Sequence, residues 1–424
     1  MTARSQMRTT AIDILRENDR GSYTVPTKGL YPFQWNWDSC FTALGQSHYD
    51  LDRAWIEIET LMNNQWEDGM VPHMVFHEAA PGYFPGPEVW ATNRATAPTS
   101  GITQLPVAGF AVHVLWKRSS ERSDRDARAR ALLTRLDRWH DWFYRTRDPQ
   151  ATGLVAVIHP WESRDNTIDW DEGFERVPTE GVIPYTRNDT KHADPETRPT
   201  KAQYDRYLWL VQHFRSLNWD STRTHEASPF QIVDPGFNAI LIRSALETAA
   251  LARTLGEHEI ASRNAQWAEA GLAALDTLWD ERAGQYQPYD RVGQQLLDSP
   301  SIGGLIPVFA PIPQHRVQAL SQTLQAIGQH VLYLVPSHDP RDARFDIKRY
   351  WRGPVWLVCN YLIADGLRHA GEDDMADRIG KDSLGLIDAG GFSEYYDPVS
   401  GAPLGGGRFS WTAAMVLELT AAKP

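Results

Sequence analysis

Two short segments of the chain each place an acidic side chain among aromatic residues and turn formers. The first is HPWESRDN at 159–166, and the second is GFSEYY at 391–396. A carboxyl group in such surroundings would be partly withdrawn from water, so that its affinity for a proton could be tuned. Two carboxyl groups with different tasks are what the hydrolysis of a glycosidic bond requires. We therefore hypothesise that folding brings the two acidic segments together around one sugar bond.

The composition limits the classes of protein to which the chain can belong. Its 424 residues, of which 42% are hydrophobic, can bury a large core and argue against disorder. The 17 Trp and 15 Tyr residues suit either a core or loops that stack on sugar rings. A formal net charge of −12 argues against a nucleic-acid partner, because phosphate binding needs clustered Lys and Arg. The ordinary interpretation of that charge is solubility.

Cysteine usage and the N-terminus favour a cytoplasmic protein, and the histidines do not favour a metal site. The two cysteines, Cys40 and Cys359, lie in apolar segments of helical pattern, so reduced thiols are expected. The N-terminus lacks a signal-peptide pattern, and no stretch of transmembrane length is free of charges. His73 and His77 have the i, i+4 spacing of helical metal ligands, but a surface loop or core position is the favoured interpretation. No metal, organic cofactor or membrane partner is therefore expected, and homo-oligomer formation is left open.

Apolar helices alternate with charged ones along the chain, which predicts an all-α fold. The chain opens with an amphipathic helix at 4–17 and then alternates a segment with few charges and a segment with one charged face. The pairs, with the apolar segment first, are 39–48 and 51–66, 100–116 and 124–147, 237–255 and 259–279, and 354–369 and 373–387. A last apolar segment follows at 409–420. Helices that are apolar on nearly every side are buried, so the alternation predicts concentric layers. We expect one domain over residues 1–424, built from about six helix pairs as a helical barrel rather than as two helical domains.

Two kinds of segment interrupt the helical pattern. Residues 154–158 and 331–335 are candidates for short strands, and either could form a small β-ribbon. Residues 176–202 contain four prolines and many polar residues, and they are expected to form a loop excursion or lid. The loops before the apolar helices are mostly long and rich in Trp, Pro and Gly, so the functional loops are expected at one end of the layered structure.

Four motifs, in order along the chain, resemble one enzyme family. They are YPFQWNWDS at 31–39, HPWESRDN at 159–166, RYWRGPVW at 349–356 and GGFSEYYDP at 390–398. Together they resemble glycoside hydrolase family 63 and its trehalase and glucoamylase relatives, and within that group the bacterial hydrolases of glucosylglycerate and mannosylglycerate. The resemblance covers nearly the whole chain. It implies an (α/α)6 barrel with an active-site pocket at one end and an inverting mechanism.

The resemblance assigns roles to the two acidic segments. By position, Asp165 matches the family's general acid and Glu394 its general base, and an inverting enzyme holds these groups roughly 6.5–9.5 Å apart. Asp165 would have to hold a proton near neutral pH, and Glu394 would have to be ionised. Relatives carry a Gly and a further residue where this chain has only Arg164 before Asp165, so three other acids are kept as alternatives: Glu162, Asp169 and Asp171. The non-catalytic alternatives are a helix N-cap for Asp165 and an exposed turn for Glu394.

The same resemblance implies a sugar-binding wall. Asp38 would accept hydrogen bonds from sugar hydroxyls, although it could also cap the helix predicted from residue 39. The wall and rim of the pocket would come from two motifs, through Tyr31, Trp35, Trp37, Trp351, Arg352 and Trp356. For Trp356 a core position is an equally good interpretation, because it lies in a predicted helix.

A glycerate group would add a carboxylate to the substrate, and Arg binds carboxylates through two parallel hydrogen bonds. In the glycosylglycerate hydrolases, an Arg and a Tyr from a mobile loop do this, with a Tyr and a Gln from earlier loops. The residues at matching positions are Arg198, Tyr204, Tyr83 and Gln104, with Arg187 and Arg206 as alternatives to Arg198. The ordinary interpretation of a lone Arg in a polar loop is solvation.

Three functional hypotheses follow from these patterns. The first is an inverting α-glycosidase that hydrolyses 2-O-α-glycosyl-glycerate, with the choice between glucose and mannose left open. The second is an α-glucosidase or trehalase that acts on neutral disaccharides. The third is a sugar-binding barrel without activity, or a scaffold that uses its acidic face for partners, and the shortened motif before Asp165 is its best support.

Overall fold

The computed structural model describes residues 3–187 and 195–421. Helices dominate this part of the chain, and they are Ala3–Asn18 (α1), Asn36–Gln46 (α2), Leu51–Met62 (α3), Pro87–Trp90 (α4), Ala108–Arg118 (α5), Arg125–Arg147 (α6), Asp171–Glu175 (α7), Lys201–Ser216 (α8), Ser221–Ala227 (α9), Pro235–Thr254 (α10), His258–Leu275 (α11), Gln314–Ile327 (α12), Leu357–His369 (α13), Asp373–Gly390 (α14) and Ser410–Leu419 (α15). The 3₁₀ helices are Pro160–Glu162, Ile168–Trp170, Pro195–Thr197, Asp276–Leu278, Ile302–Gly304 and Ile306–Phe309.

The strands are short and lie in the loops between helices. They are Gln34–Trp35 (β1), Met74–Val75 (β2), Ile232–Val233 (β3), Trp279–Asp280 (β4), Gln285–Tyr286 (β5), Tyr289–Asp290 (β6), Gln295–Leu296 (β7), Ser393–Tyr396 (β8) and Pro403–Gly407 (β9). All pairings are antiparallel: β1 with β2, β3 with β6, β6 with β7, β4 with β5, and β8 with β9.

Within the described residues, the helices form two concentric layers. The inner ring closes through α2, α5, α10, the 3₁₀ helix Ile306–Phe309, α13 and α15, each of which packs against the next. In the outer layer, α3 packs on α2, α6 on α5, α11 on α10, α14 on α13 and α1 on α15, while α12 packs against α14. The predicted all-α (α/α)6 barrel is therefore confirmed, and a 3₁₀ helix occupies one of its inner positions.

Burial explains why the two layers differ in composition. Every residue of α2 is buried, which is why this helix has an almost uncharged sequence. In α14 the charges lie on the exposed face, and the buried positions recur every three or four residues. The buried residues are Ala376, Ile379, Ser383, Leu386 and Ile387. In the described part of the chain, every helix is too short or too polar to span a bilayer.

The structure corrects one predicted strand and modifies the other. Residues 331–335 form no strand, because the side chain of Asn360 in α13 binds their backbone instead. The N–H of Val335 donates to Asn360 Oδ1 at 3.0 Å, and Asn360 Nδ2 donates to the carbonyl of Leu334 at 2.8 Å. Within 154–158, Val157 forms an isolated bridge with Ile232 of β3. A strand that pairs over only one or two residues is too short to show an alternation of apolar and polar residues in the sequence.

The structure refines one predicted helix, adds a hairpin, and leaves two predictions untested. The helix predicted over 100–116 begins at Ala108, since Pro106 disfavours the helical conformation of the residue before it. The β8–β9 hairpin was not expected, because the segment PLGGG of β9 lacks a strand pattern. Of the predicted excursion 176–202, residues 188–194 lie outside the described residues. The single domain over 1–424 stays a prediction.

Candidate active site

One cavity of about 480 Å³ opens at the end of the barrel where the inner helices begin. Its wall combines the first residues of α2 and α15 with the loops that precede α5 and α13. The residues predicted to form the site and found in this wall are Tyr31, Trp35, Trp37, Asp38, Tyr83, Gln104, Asp165, Arg198, Tyr204, Trp351 and Glu394. Folding therefore brings the two acidic segments to one cavity, as hypothesised from the sequence.

Glu394 lies on β8, is 1% exposed and is held by three hydrogen-bond donors. The hydroxyl of Tyr31 donates to its Oε1 at 3.2 Å and that of Tyr350 at 3.0 Å. The N–H of Gly406 on β9 donates to Oε2 at 3.0 Å. Burial raises the pKa of Glu394, and the charge of Arg198 opposes that rise. The hairpin pairing thus fixes both the position and the orientation of this carboxylate.

Arg198 follows the 3₁₀ helix Pro195–Thr197 and is 7% exposed. Its Nη2 donates to the hydroxyl of Tyr31 at 3.1 Å, and its guanidinium lies 4.3 Å from the centre of the Tyr350 ring. Burial raises the pKa of both tyrosines well above the usual range, so both hydroxyls keep their protons and can donate. A buried cation therefore faces the cavity beside Glu394.

Asp165 lies in the loop between two 3₁₀ helices and contributes to the cavity wall. Its backbone carbonyl accepts hydrogen bonds from the Tyr207 hydroxyl at 2.9 Å and from Trp170 Nε1 at 3.1 Å. The pKa of Tyr350 is raised by burial, then by Glu394, and further by Asp165. The two carboxyl groups therefore both act on Tyr350, although they are far apart in the sequence.

The alternative acids do not line the cavity, and each is committed to an ion pair. Glu162 accepts two hydrogen bonds from Arg147, at 2.8 and 3.0 Å. Asp171 pairs with Arg352 at 2.6 Å. The third alternative, Asp169, is paired at 2.6 Å with the arginine that precedes Asp165. Among the four acids of this segment, Asp165 is the one that the cavity wall contains.

Buried ion pairs hold the Asp165 loop in place. Arg164 Nη2 donates to Asp169 at 2.6 Å and to Asp234, the N-cap of α10, at 3.1 Å. All three side chains are at most 1% exposed. Ser163, which lines the cavity, donates to Asp234 at 2.9 Å. The residues that flank Asp165 are therefore tied to the start of an inner helix.

The helix-cap interpretations of the candidate acids are wrong. Helix α2 begins at Asn36, so Asp38 lies in its first turn, and the N-cap is Trp35. Beyond Asp165, the side chain of Thr167 caps the 3₁₀ helix Ile168–Trp170. Asp38 is 4% exposed, and its pKa is raised well above its usual range by burial and then by the charge of Glu394.

Two predicted rim residues lie behind the wall instead of in it. Trp356 is fully buried as the N-cap of α13 and stacks on Trp351, with ring centroids 3.8 Å apart. Arg352 donates to the carbonyl of Asn166 at 2.9 Å and pairs with Asp171. Both therefore support residues of the cavity wall without lining the cavity.

The alternatives to Arg198 also point elsewhere. Arg187 Nη1 donates to the carbonyl of Pro199 at 2.6 Å, and its guanidinium lies 4.5 Å from the centre of the Tyr204 ring. Arg206 Nε donates to the carbonyl of Val177 at 3.1 Å. Neither lines the cavity, whereas Tyr204 does.

The earlier loops contribute Tyr83 and Gln104 to the wall. Gln104 Oε1 accepts from the N–H of Trp37 at 3.1 Å, and the Tyr83 ring packs edge-on against Trp35 at 6.1 Å. These contacts set both polar groups beside the aromatic wall.

Several wall residues were missed by sequence reasoning, among them His73, Trp90, Trp161, Ser163, Tyr350, Phe409 and Trp411. Three of them lie inside motifs already singled out, so adjacency to a candidate was the available signal. His73 and His77 do not share a helix face, because they flank β2, and burial lowers the pKa of His73 to about 3.

Three known proteins resemble this chain over nearly its whole length. Mannosylglycerate hydrolase MGH1 of Selaginella moellendorffii is 45% identical over 406 residues, which cover 95% of this chain and 83% of the relative. Glucosylglycerate hydrolase of Mycolicibacterium hassiacum is 35% identical over 435 residues, which cover 98% of this chain and 97% of the relative. The crystal structure of GH63 mannosylglycerate hydrolase from Thermus thermophilus in complex with Tris and D-glycerate matches with a TM-score of 0.94 and 45% identity, covering 97% of this chain and 99% of that chain.

A protein-family model also matches this chain. The model for the mannosylglycerate hydrolase MGH1-like glycoside hydrolase domain matches residues 31–412, a range that contains every predicted site residue. By this match and by the identity of its relatives, the chain belongs to the MGH1-like family of glycoside hydrolases.

Proposed function

We propose that the chain is an inverting glycoside hydrolase that cleaves the α-glycosidic bond of 2-O-α-glycosyl-glycerate, releasing a hexose and glycerate. The observation that carries the proposal is the presence of Asp165, Glu394 and Arg198 in the wall of one cavity. Family membership supports it, as do relatives named mannosylglycerate and glucosylglycerate hydrolase and a related structure with D-glycerate.

Asp165 and Glu394 divide the proton transfers. Asp165 gives its proton to the glycosidic oxygen as the C1–O bond breaks, while a water molecule attacks C1 from the opposite face of the sugar. Glu394 takes the proton that this water releases, so the acid ends ionised and the base ends protonated. The three donors to Glu394 fix its orientation, which a base needs in order to activate one water at one position.

Arg198 is the side chain that would select the glycerate group. A buried guanidinium attracts a carboxylate more strongly than an exposed one, and it can form two parallel hydrogen bonds. Tyr83, Gln104 and Tyr204 line the same cavity and supply polar groups for the remaining glycerate oxygens. A neutral disaccharide offers no charge to compensate Arg198, which makes the neutral-substrate alternative the weaker one.

Incubation with glucosylglycerate and with mannosylglycerate, followed by proton NMR, tests the substrate and the stereochemistry. We expect β-hexose as the first product, because inversion at C1 converts an α-linked substrate into a β-anomer. Absence of turnover of both substrates would remove the substrate proposal. An α-anomer as the first product would remove the inverting mechanism.

Two isosteric variants test the assignment of acid and base. Asp165→Asn and Glu394→Gln should each lower kcat on glycosylglycerate by about 10²–10⁴-fold. On an α-glycosyl fluoride, whose leaving group needs no proton, Asp165→Asn should retain activity, whereas Glu394→Gln should not. Unchanged hydrolysis by both variants would show that the assignment of acid and base is wrong, whatever the substrate.

Arg198→Ala tests the selection of an acidic aglycone. We expect a rise in KM for glycosylglycerate of about 10–100-fold, which corresponds to one charge-assisted contact. Hydrolysis of the neutral analogue glycosylglycerol should change much less. Arg206→Ala is the matched control, because that guanidinium lies outside the cavity wall and donates to the carbonyl of Val177, which is not a wall residue. Equal losses for both substrates would favour the neutral-disaccharide alternative.

A further inference from the structure

A hydrogen-bonded chain links the proposed aglycone site to the proposed base. Arg198 Nη2 donates to the hydroxyl of Tyr31 at 3.1 Å, and that hydroxyl donates onward to Glu394 Oε1 at 3.2 Å. The guanidinium also lies over the ring of Tyr350, whose hydroxyl donates to the same carboxylate oxygen at 3.0 Å. The charge that would bind glycerate is therefore in contact with the groups that hold the base.

We propose that Arg198 makes Glu394 a weaker base in the free enzyme than burial alone would make it, and that the carboxylate of the bound aglycone offsets Arg198 and strengthens that base. The inference rests on the proposed function, since it takes Arg198 as the partner of the carboxylate and Glu394 as the base. An acidic aglycone would then aid the chemical step as well as binding. A neutral aglycone would occupy the site without strengthening the base.

The charged groups around Glu394 are consistent with this coupling. Burial raises the pKa of Glu394, and the charge of Arg198 is the largest influence that lowers it. Asp38 lines the same cavity, and the charge of Glu394 contributes to the raised pKa of Asp38. Asp165 acts on Tyr350 from the other acidic segment. Arg198 is thus the cation within a group of carboxylates, and a substrate carboxylate would reduce its effect.

The size of the effect follows from the separation of the charges. Two consecutive hydrogen bonds, of 3.1 and 3.2 Å, place Arg198 Nη2 and Glu394 Oε1 no more than about 6.3 Å apart. At an effective dielectric constant of about 20, a unit charge at that distance shifts a pKa by about two units, which is the most that a bound carboxylate could offset. Water in an open cavity reduces the shift, so we expect about one to two pH units.

The pH dependence of turnover gives the first test. Glu394 must be ionised, so its pKa sets the acid limb of the rate profile, in kcat/KM for the free enzyme and in kcat for the complex. For glycosylglycerate, the acid limb of kcat should lie about one to two pH units above that of kcat/KM. For neutral glycosylglycerol the two limbs should coincide. In Arg198→Gln, the acid limb of kcat/KM should move to higher pH, because the charge that lowers the pKa is gone.

Proton uptake on binding of D-glycerate gives a second test that needs no turnover. Calorimetric titration in buffers of different ionisation enthalpy, at several values between about pH 4 and pH 7, should show that binding takes up protons in the wild type. Glu394→Gln should bind glycerate without proton uptake.

The outcomes separate this inference from the proposed function. Glycerate binding without proton uptake, or with equal uptake in Glu394→Gln, would overturn the coupling and leave the proposed function standing. The same holds if the acid limbs of kcat and kcat/KM coincide for glycosylglycerate. Absence of glycerate binding, together with absence of glycosylglycerate turnover, would overturn both.

Discussion

Replacement of Arg164 by Met should destabilise the protein and reduce turnover together. Arg164 precedes Asp165 and donates to Asp169 at 2.6 Å and to Asp234 at 3.1 Å, and none of these three side chains is more than 1% exposed. Met keeps much of the volume and removes the charge. Two carboxylates would then remain in a buried site without their cation.

The expected cost is about 3–5 kcal/mol, the usual range when one partner of a buried ion pair is removed. The matched control is Lys201→Met, which breaks a pair with Asp205 in which Lys201 is 79% exposed. An exposed pair contributes about 0–1 kcal/mol, because water and salt screen it. The structure therefore predicts a clear difference between two substitutions that each remove one positive charge.

The pH dependence has a defined sign. Burial acts to raise the pKa of Asp169, but Arg164 and the hydroxyls of Ser299 and Ser301 lower it below its usual value on balance. A lowered pKa contributes stability above the unfolded pKa, and that stability is lost as the pH falls through the folded value. In Arg164→Met the burial effect dominates, so the variant should gain stability relative to wild type as the pH falls.

Urea denaturation followed by tryptophan fluorescence measures both effects, and kcat on glycosylglycerate reports the Asp165 loop. Asp169→Asn combined with Asp234→Asn in the Arg164→Met background should recover part of the stability, because no charge is left uncompensated. A cost for Arg164→Met no larger than that of Lys201→Met, or no recovery in the triple variant, would show that the buried pairs do not hold this loop.

The remaining predictions concern a binding carboxylate and two glycines. Asp38→Asn should leave the acid limb of kcat/KM near its wild-type pH, because burial and the charge of Glu394 raise the pKa of Asp38 and favour its uncharged form, and a pH–rate profile measures this. Gly366→Ala should cost about 1–3 kcal/mol in urea denaturation, because its Cβ would lie 2.1 Å from the carbonyl oxygen of Val308. Gly380→Ala, with its nearest neighbour at 3.8 Å, should instead stabilise the protein by about 0.5–1 kcal/mol. Equal effects of the two glycine variants would contradict the packing argument.

The helices were readable from the sequence because their signal is local. The charged segment 124–147 became Arg125–Arg147, and the apolar segment 354–369 became Leu357–His369. Errors arose where a distant side chain satisfies the backbone, as Asn360 does at 331–335. The 3₁₀ helix in the inner ring was also missed, since four residues show no periodicity.

Within the motif RYWRGPVW at 349–356, the sequence did not predict which side chains face the cavity. Tyr350 adopts a left-handed backbone conformation, with φ at 37°, and this turn directs Tyr350 and Trp351 to the cavity while Arg352 lies behind the wall. The resemblance placed Trp356 at the rim, but the structure places it in the stack beneath Trp351. Backbone geometry therefore decided what residue type and spacing had left open.

The sequence by itself determined the alternation of buried and exposed helices, and it singled out the acidic segments around Asp165 and Glu394. Only the tertiary structure decided that Arg198 touches Tyr31, 167 residues away, and that Tyr31 in turn touches Glu394, 363 residues away. Periodicity encodes the environment of a helix within a few turns, and it carries no information about which loops meet. Closure of the helical ring brings those loops together, and it places Arg198 beside the carboxylate whose proton affinity this cation lowers.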